Sequence, residues 1–353
     1  SSALTWERIE SWNVGLDFAA LNNRLQGTLE YFNRTTRDMV GPPSPLPFTL
    51  GTGQPSENNA TLVSKGWEAE LKWRDYVGKV NYGLRFILSD DIQTVTQYYN
   101  PTGSLSTWYA GRRMGEIWGY TTAGIAKTND EMNEHLKTNR PSWGDNWQAG
   151  DIMYKDLDGS ETVNGGANTL SDHGDLRRLG YNAPRFKVGF NADLTWQGLD
   201  FSFFLQGVGR RDWFDNSPYS VGATSHGQWQ SVGFKEHWDF FRPEGDPNGA
   251  NLNARYPRPL FEKGAKNMQT QSRYVVNAAY LRIKNIQLGY TLPASLTKKI
   301  GVSRLRVYTS ADNLVTFTKL PKIFDPEATG GDWGPGKIYP LQRVISCGLN
   351  VNI

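Results

Sequence analysis

Between residues 186 and 196 the chain reads Phe186-Lys187-Val188-Gly189-Phe190-Asn191-Ala192-Asp193-Leu194-Thr195-Trp196, with apolar side chains at every second position. A strand turns successive side chains to opposite faces, so this stretch builds one greasy and one hydrated face. The pattern recurs. Trp12, Val14, Leu16 and Phe18 alternate with Ser11, Asn13, Gly15 and Asp17, and Trp67, Ala69, Leu71 and Trp73 alternate with Glu68, Glu70 and Lys72. In a strand of a water-filled barrel, that phasing sets apolar residues against lipid and polar ones toward the lumen. The expected class is therefore all-β: an antiparallel transmembrane β-barrel with long extracellular loops.

Composition agrees. Of 353 residues 37 are Gly, and aromatics make up 13%, an enrichment that suits strands, tight turns and interfacial girdles. The mean hydropathy of −0.56 fits a barrel, which needs apolar residues on only half of each strand. No run of about 18 apolar residues exists, so helical spans are excluded. The net charge of +3 is spread over both signs without clustering, which argues against nucleic acid as a partner. With Cys347 alone there is no intrachain disulfide and no Cys-based metal site. Nothing at Ser1 reads as a secretory signal, which an exported protein needs, so either it was removed or, as expected here, the chain begins within a longer protein.

About ten strands are expected, over 11–20, 24–38, 61–74, 79–97, 113–125, 184–197, 199–211, 278–292, 303–314 and 340–353. The connections 21–23, 75–78, 197–198 and 293–302 are short and rich in turn-forming residues. Segments 39–60, 126–183, 212–277 and 315–339 are long. Short and long connections alternate, as between the two sides of an outer-membrane barrel. The 113–125 candidate breaks that order and fits a loop excursion equally well. Leu281 and Ile283 share one phase while Ile286, Leu288, Tyr290 and Leu292 share the other, which predicts a β-bulge near Lys284-Asn285. Trp73, Tyr76, Trp196 and Tyr290 gather at the short turns, where an aromatic girdle would meet the headgroups. At the terminus Ile345, Cys347, Leu349, Val351 and Ile353 alternate with polar or small residues, which turns Cys347 toward lipid as a small apolar group.

Signatures of catalysis are missing, and no enzyme is expected. His135, His173, His226 and His237 have no ligand spacing and fall in long loops. There is no G-x-S-x-G and no Walker loop. Gly207-Val208-Gly209 lacks the third glycine and following helix of a dinucleotide site. Asp156, Asp158 and Ser160 stand at positions one, three and five of a loop, which suits Ca²⁺. Glu161 occupies the place where an EF-hand turn needs glycine and no carboxylate follows at position twelve, so an Asx-turn competes with that reading. No other cofactor is expected. In the loops Trp143, Trp147, Trp213, Trp229, Trp238 and Trp333, with Tyr219, Phe240 and Phe241, are candidate substrate-stacking residues, or pack the loops against each other. Glu68, Glu70, Lys72, Arg85, Lys187, Asp193, Arg304 and Arg306 should keep the lumen wet.

Several segments taken together resemble the C-terminal half of SusC/RagA-type TonB-dependent transporters of the Bacteroidetes outer membrane. They are Leu4-Thr5-Trp6-Glu7, the run from Tyr31 to Met39, Gly66 to Leu71, Gly150 to Gly159, Ala279 to Pro293, Arg306 to Leu314, and Asp325-Pro326-Glu327. Spread in order from end to end, they cover essentially the whole chain. The resemblance implies the C-terminal portion of a larger, 22-stranded barrel, over residues 1–353, with the plug domain and N-terminal strands outside this chain. It implies active import of oligosaccharides or oligopeptides, driven through TonB contacting the missing N-terminal part. It also implies a SusD-like surface lipoprotein seated as a lid on loops 126–183 and 212–277. An open sheet leaves unpaired amides at two edges, at several kcal/mol for each group exposed to lipid, so the remaining barrel strands are expected as partners. A passive porin-like or adhesin barrel and a soluble β-sandwich carbohydrate-binding module are the alternatives.

Overall fold

The computed structural model describes residues 4–43, 51, 55–214, 233, 235–260, 264–329 and 338–353. The turns set its plan. At Gln197-Gly198 both residues take positive φ (45° and 90°), the requirement of a two-residue type I′ hairpin, whose twist matches that of the strands it joins. Gly198 has a second reason to lack a side chain, since a Cβ there would lie 2.6 Å from the Thr291 carbonyl oxygen. Leu21, Asn22 and Asn23 also have positive φ, and Gly78 opens the third turn at φ 59°.

These turns connect a sheet of nine strands in chain order: β1 (Arg8–Ala20), β2 (Leu25–Gly41), β3 (Glu57–Val77), β4 (Val80–Gln97), β5 (Arg185–Trp196), β6 (Leu199–Arg210), β7 (Tyr280–Thr291), β8 (Arg304–Thr318) and β9 (Val344–Asn352). Every neighbouring pair is antiparallel. The connections 21–24, 78–79, 197–198 and 292–303 lie at one end, and 42–56, 98–184, 211–279 and 319–343 at the other. At 17, 21 and 18 residues, β2, β3 and β4 exceed the roughly 9–11 residues that cross a bilayer. Their surplus stands out on the long-loop side. No helix among the described residues is long and apolar enough to cross a membrane.

Among the described residues the wall therefore has nine strands where ten were expected. β4 pairs directly with β5, leaving no place between them for 113–125. That segment instead supplies two short loop strands, Glu116–Tyr120 paired with Leu176–Tyr181, and Thr122–Ile125 paired with Ile152–Tyr154. The bulge falls where the phase change put it. Phe204 and Leu205 are consecutive but oppose Asn285 and Ile283, so Lys284 is the extra residue, and the β7–β8 register shifts at the same point.

Register carries a single apolar layer across the sheet. Phe18 opposes Gly27, then Leu71, Phe86, Phe190, Leu205, Ile283 and Val315 follow in turn, one per strand. Gly27 is the gap in that row, and the Phe18 ring fills it. Among the described residues the layer stays open: Val14 is 66% exposed and Leu349 64%. Trp73, Trp196 and Tyr290 share this face close to the short turns, and Trp73 donates to the Tyr82 hydroxyl at 3.3 Å. Tyr76 departs from the expectation, since it opposes Asn81 in the other phase. Cys347 lies on the apolar layer opposite Thr309.

The opposite face is charged and paired. Glu70 takes Lys72 and Arg85, the latter through Nε at 3.0 Å. Lys187 reaches Asp91 at 2.9 Å, and Arg306 Nε donates to Asp200 at 2.8 Å. The buried apolar clusters lie in the long-loop region, away from the wall.

Candidate functional site

The long-loop end builds its own interior from segments far apart in sequence. Tyr120 N–H donates to the Thr270 carbonyl at 2.8 Å and Ser272 N–H returns to the Tyr120 carbonyl at 2.9 Å, docking loop 211–279 onto loop 98–184. Gly119 permits this approach, because a Cβ there would lie 2.4 Å from Thr270 O. Around the seam Ile125, Ile152, Tyr154, Val163, Phe241, Tyr256, Met268 and Tyr274 form a sealed core. Burial pushes the Tyr154 phenol well above its ordinary pKa, and burial also raises that of Tyr120.

One carboxylate locks the two loops together. Asp151 is completely buried and accepts from Arg258 Nε at 2.8 Å, from Lys266 Nζ at 2.8 Å and from Asn267 Nδ2 at 3.0 Å. Lys266 is buried as well, and that burial lowers its pKa despite the opposing pull of Asp151. Its ammonium also sits 4.8 Å from the Trp147 ring centre. Glu116 is a second hub, accepting from the Tyr109 hydroxyl, from Trp118 Nε1 at 3.1 Å and from Arg178 at 3.2 Å. Burial alone would raise the Glu116 pKa, but these donors and the Arg113 N–H hold it below the usual carboxylate range. Burial and the Glu116 carboxylate together push Tyr109 up to about 12.

Among the stacking candidates, Trp143 and Trp147 pack on the loop core, with Trp143 4.7 Å from Tyr120 and 5.1 Å from Tyr154. Trp213 is 1% exposed and sits edge-on to Phe324. Trp238 is different: 59% exposed, with Arg242 5.3 Å over its ring. Phe240 and Phe241 line the same core, the latter buried. Trp229 and Trp333, together with Tyr219 and His226, lie outside the described residues. His135 closes a short loop helix against the Tyr154 carbonyl, and His237 is buried edge-on to Tyr256.

In the acidic loop, Asp156 accepts from the N–H groups of Gly159 and Glu161 at 3.1 and 2.9 Å, and Asp158 from that of Ser160 at 2.9 Å. This is Asx-turn geometry. The Ser160 hydroxyl donates to the Thr162 carbonyl at 3.0 Å. Asp175 joins the two aspartates, and the three carboxylates come within 4.8 Å of one another. Both Asp175 oxygens accept backbone N–H groups, from Leu157 and Asn164.

Asp325-Pro326-Glu327 also gains a physical role. Arg282 on the lumenal face of β7 donates to Asp325 at 2.8 Å and Glu327 at 2.7 Å, while Lys284 reaches Glu327 at 2.9 Å. The loop after β8 is thereby folded over the wall. Asp151, Glu116 and Arg282 were not singled out from sequence. Their partners stand up to 116 positions away, and no local pattern marks such a pair.

No protein-family model matches the chain. Its sequence is similar to TonB-dependent receptor P3 of Formosa agariphila, 27% identical over 377 residues that cover 99% of this chain and 34% of that protein. It is similar to TonB-dependent receptor SusC of Bacteroides thetaiotaomicron at 24% identity, covering 99% of this chain and 32% of that protein. The RagAB peptide importer in its open-open state superposes with a TM-score of 0.72 at 24% identity, over 99% of this chain and 35% of that one. The chain thus spans about a third of the length of the curated relatives it matches. By fold it is a stretch of antiparallel outer-membrane β-barrel wall with its loops. More narrowly, it is SusC/RagA-like along its whole length, consistent with the C-terminal part of such a barrel. These relatives are named as receptors and transporters.

Proposed function

We propose that the chain serves active import across the outer membrane, as the C-terminal barrel portion of a TonB-dependent transporter for oligosaccharides or oligopeptides. The observation that carries this reading is the two-faced wall: an uncovered apolar layer against a charged, ion-paired face. Such a wall encloses water only when its edges, β1 and β9, meet further strands, and the proposal supplies them from the rest of the transporter together with the plug. TonB would act on that plug. A SusD-like lipoprotein would seat on loops 126–183 and 212–277, whose shared core gives a lid a preformed platform.

The test uses the complete transporter in its native membrane. Cells are fed labelled oligosaccharide and peptide pools, with and without TonB, and the lid is recovered by pull-down. Uptake that vanishes without TonB, and lid recovery that vanishes when both loops are deleted from a barrel that still assembles, support the reading. Energy-independent uptake would replace it with a passive pore.

A further inference from the structure

We propose that the junction of wall and loops carries an anion-binding subsite, which takes a carboxylate or sulfate group of the cargo. The idea deepens the importer reading and rests on it. A cavity of about 290 Å³ opens where the loop-side ends of β4, β5 and β6 meet the segment 113–114 and Tyr181. Arg113, Arg185, Lys187 and Arg210 line it, against the single carboxylate of Asp91. Two of the cations are already matched, since Arg185 is bonded to Asp90 and Lys187 to Asp91. The nearby Arg178 is held by Glu116.

Arg113 and Arg210 remain. Among the described residues Arg113 has no carboxylate partner, and its guanidinium lies 5.8 Å from the centre of the Tyr181 ring. The nearest carboxylate to Arg210 is Asp212 at 3.9 Å, and that group already accepts the Tyr181 N–H at 3.0 Å. Backbone bonds hold the Arg113 segment in place, while the Arg210 side chain is 64% exposed. Met114 N–H is bonded to Gln93 O, and Arg113 N–H to Glu116. Arg178 flanks the Tyr181 ring at 5.7 Å, alongside Arg113. Two guanidiniums thus line one cavity with few carboxylates to satisfy them. Their forked donors match the paired oxygens of carboxylate or sulfate.

Position gives the subsite its use. Asp91, Gln93 and Lys187 also line a lumenal groove of about 500 Å³ that contains Glu30, Arg34 and Glu68. An anionic group would be caught at the mouth, ahead of a groove of mixed charge, so the subsite sorts cargo at entry. The cavity is at the small end of ligand sites, which fits one terminal sugar ring or amino-acid residue.

The complete transporter, purified in detergent, is titrated with D-glucuronate, with its neutral counterpart D-glucose, and with N-acetylglutamate. Glucuronate or N-acetylglutamate should bind and glucose should not, and which anion binds more tightly tells a glycan source from a peptide one. In the R113Q/R210Q double variant anion binding should weaken by about tenfold or more, about what losing one charge-assisted hydrogen bond gives. The double Arg→Lys variant should retain part of it. Unchanged heat-modifiable mobility on gels verifies that the variant barrel is folded. Equal binding of glucose and glucuronate, or undiminished anion binding by R113Q/R210Q, overturns the subsite. The two readings fail separately: arginine-dependent anion binding with TonB-independent uptake keeps the subsite and sinks the importer, while charge-blind binding with TonB-dependent uptake does the reverse.

Discussion

In the wall, Trp12, Val14 and Leu349 are more than half exposed; in the loops, Trp213, Tyr154 and Tyr274 are sealed away. The same kinds of side chain face outward in one region and inward in the other. A wall that turns its greasy face away from all protein must have a nonaqueous neighbour, whereas the loops, bathed in water, must bury theirs. The electrostatics invert in parallel. Charges on the wall's inner face pair at a wetted surface, and those in the loops, such as Asp151 with Arg258 and Lys266, pair in a sealed interior.

If the loops are a separately held unit, Asp151→Ala should do the most damage. It leaves Arg258 and the buried Lys266 without their carboxylate, at about 3–5 kcal/mol for breaking a buried pair. Hydrogen exchange should show protection lost across 140–160 and 254–275 while the nine wall strands keep theirs. Collapse of the wall as well would break the distinction. Next comes the wall's outer face. Phe190→Arg near the middle of the apolar layer should cost about 2–4 kcal/mol of barrel stability, while Asn191→Arg on the other face costs close to nothing. Equal penalties in urea titrations would mean that both faces see the same medium.

Acid should separate the regions further. The Glu116 carboxyl titrates below its unfolded value, so its contribution is present above the ordinary glutamate range and disappears as pH falls through the depressed pKa. Pepsin digestion at stepped low pH should therefore cut the loops before the wall. Glu116→Gln should flatten that dependence, and its persistence would reassign the effect. The smallest effects belong to surface features of the loops. Trp238→Ala should change loop stability by no more than about 0.5 kcal/mol, as expected for an exposed position, so a loss of cargo binding in that variant would be a direct effect. Calcium added to chelator-treated protein should leave thermal unfolding unchanged, because backbone N–H groups already hold the Asp156 and Asp158 turn. A clear upward shift would make that loop a metal site.

The wall was legible because its rule is local. Period-two alternation in β5 or β3 needs only a dozen residues to show, and the slipped phase between Ile283 and Ile286 located the Lys284 bulge. The excursion at 113–125 was harder. Its alternation resembles a wall strand, and only the direct pairing of β4 with β5 settles its place. The loop interior was hidden because its defining contacts are nonlocal: nothing near Asp151 announces Arg258 or Lys266. Trp143 and Trp213 looked alike in sequence, yet one rests half-buried on the core and the other is enclosed beside Phe324.

Everything functional rests on hydrocarbon being what the outer layer touches. Spin labels placed singly by Leu71→Cys, Phe190→Cys and Leu288→Cys, and on the other face by Lys72→Cys, Asn191→Cys and Gln287→Cys, test that contact. The background is the complete transporter carrying Cys347→Ser, reconstituted in lipid bilayers. The first three should relax with dissolved oxygen and ignore a water-soluble nickel chelate, and the second three should do the opposite. Labels at 71, 190 and 288 that answer to nickel, or to neither reagent because protein covers them, would contradict the barrel and the import built on it.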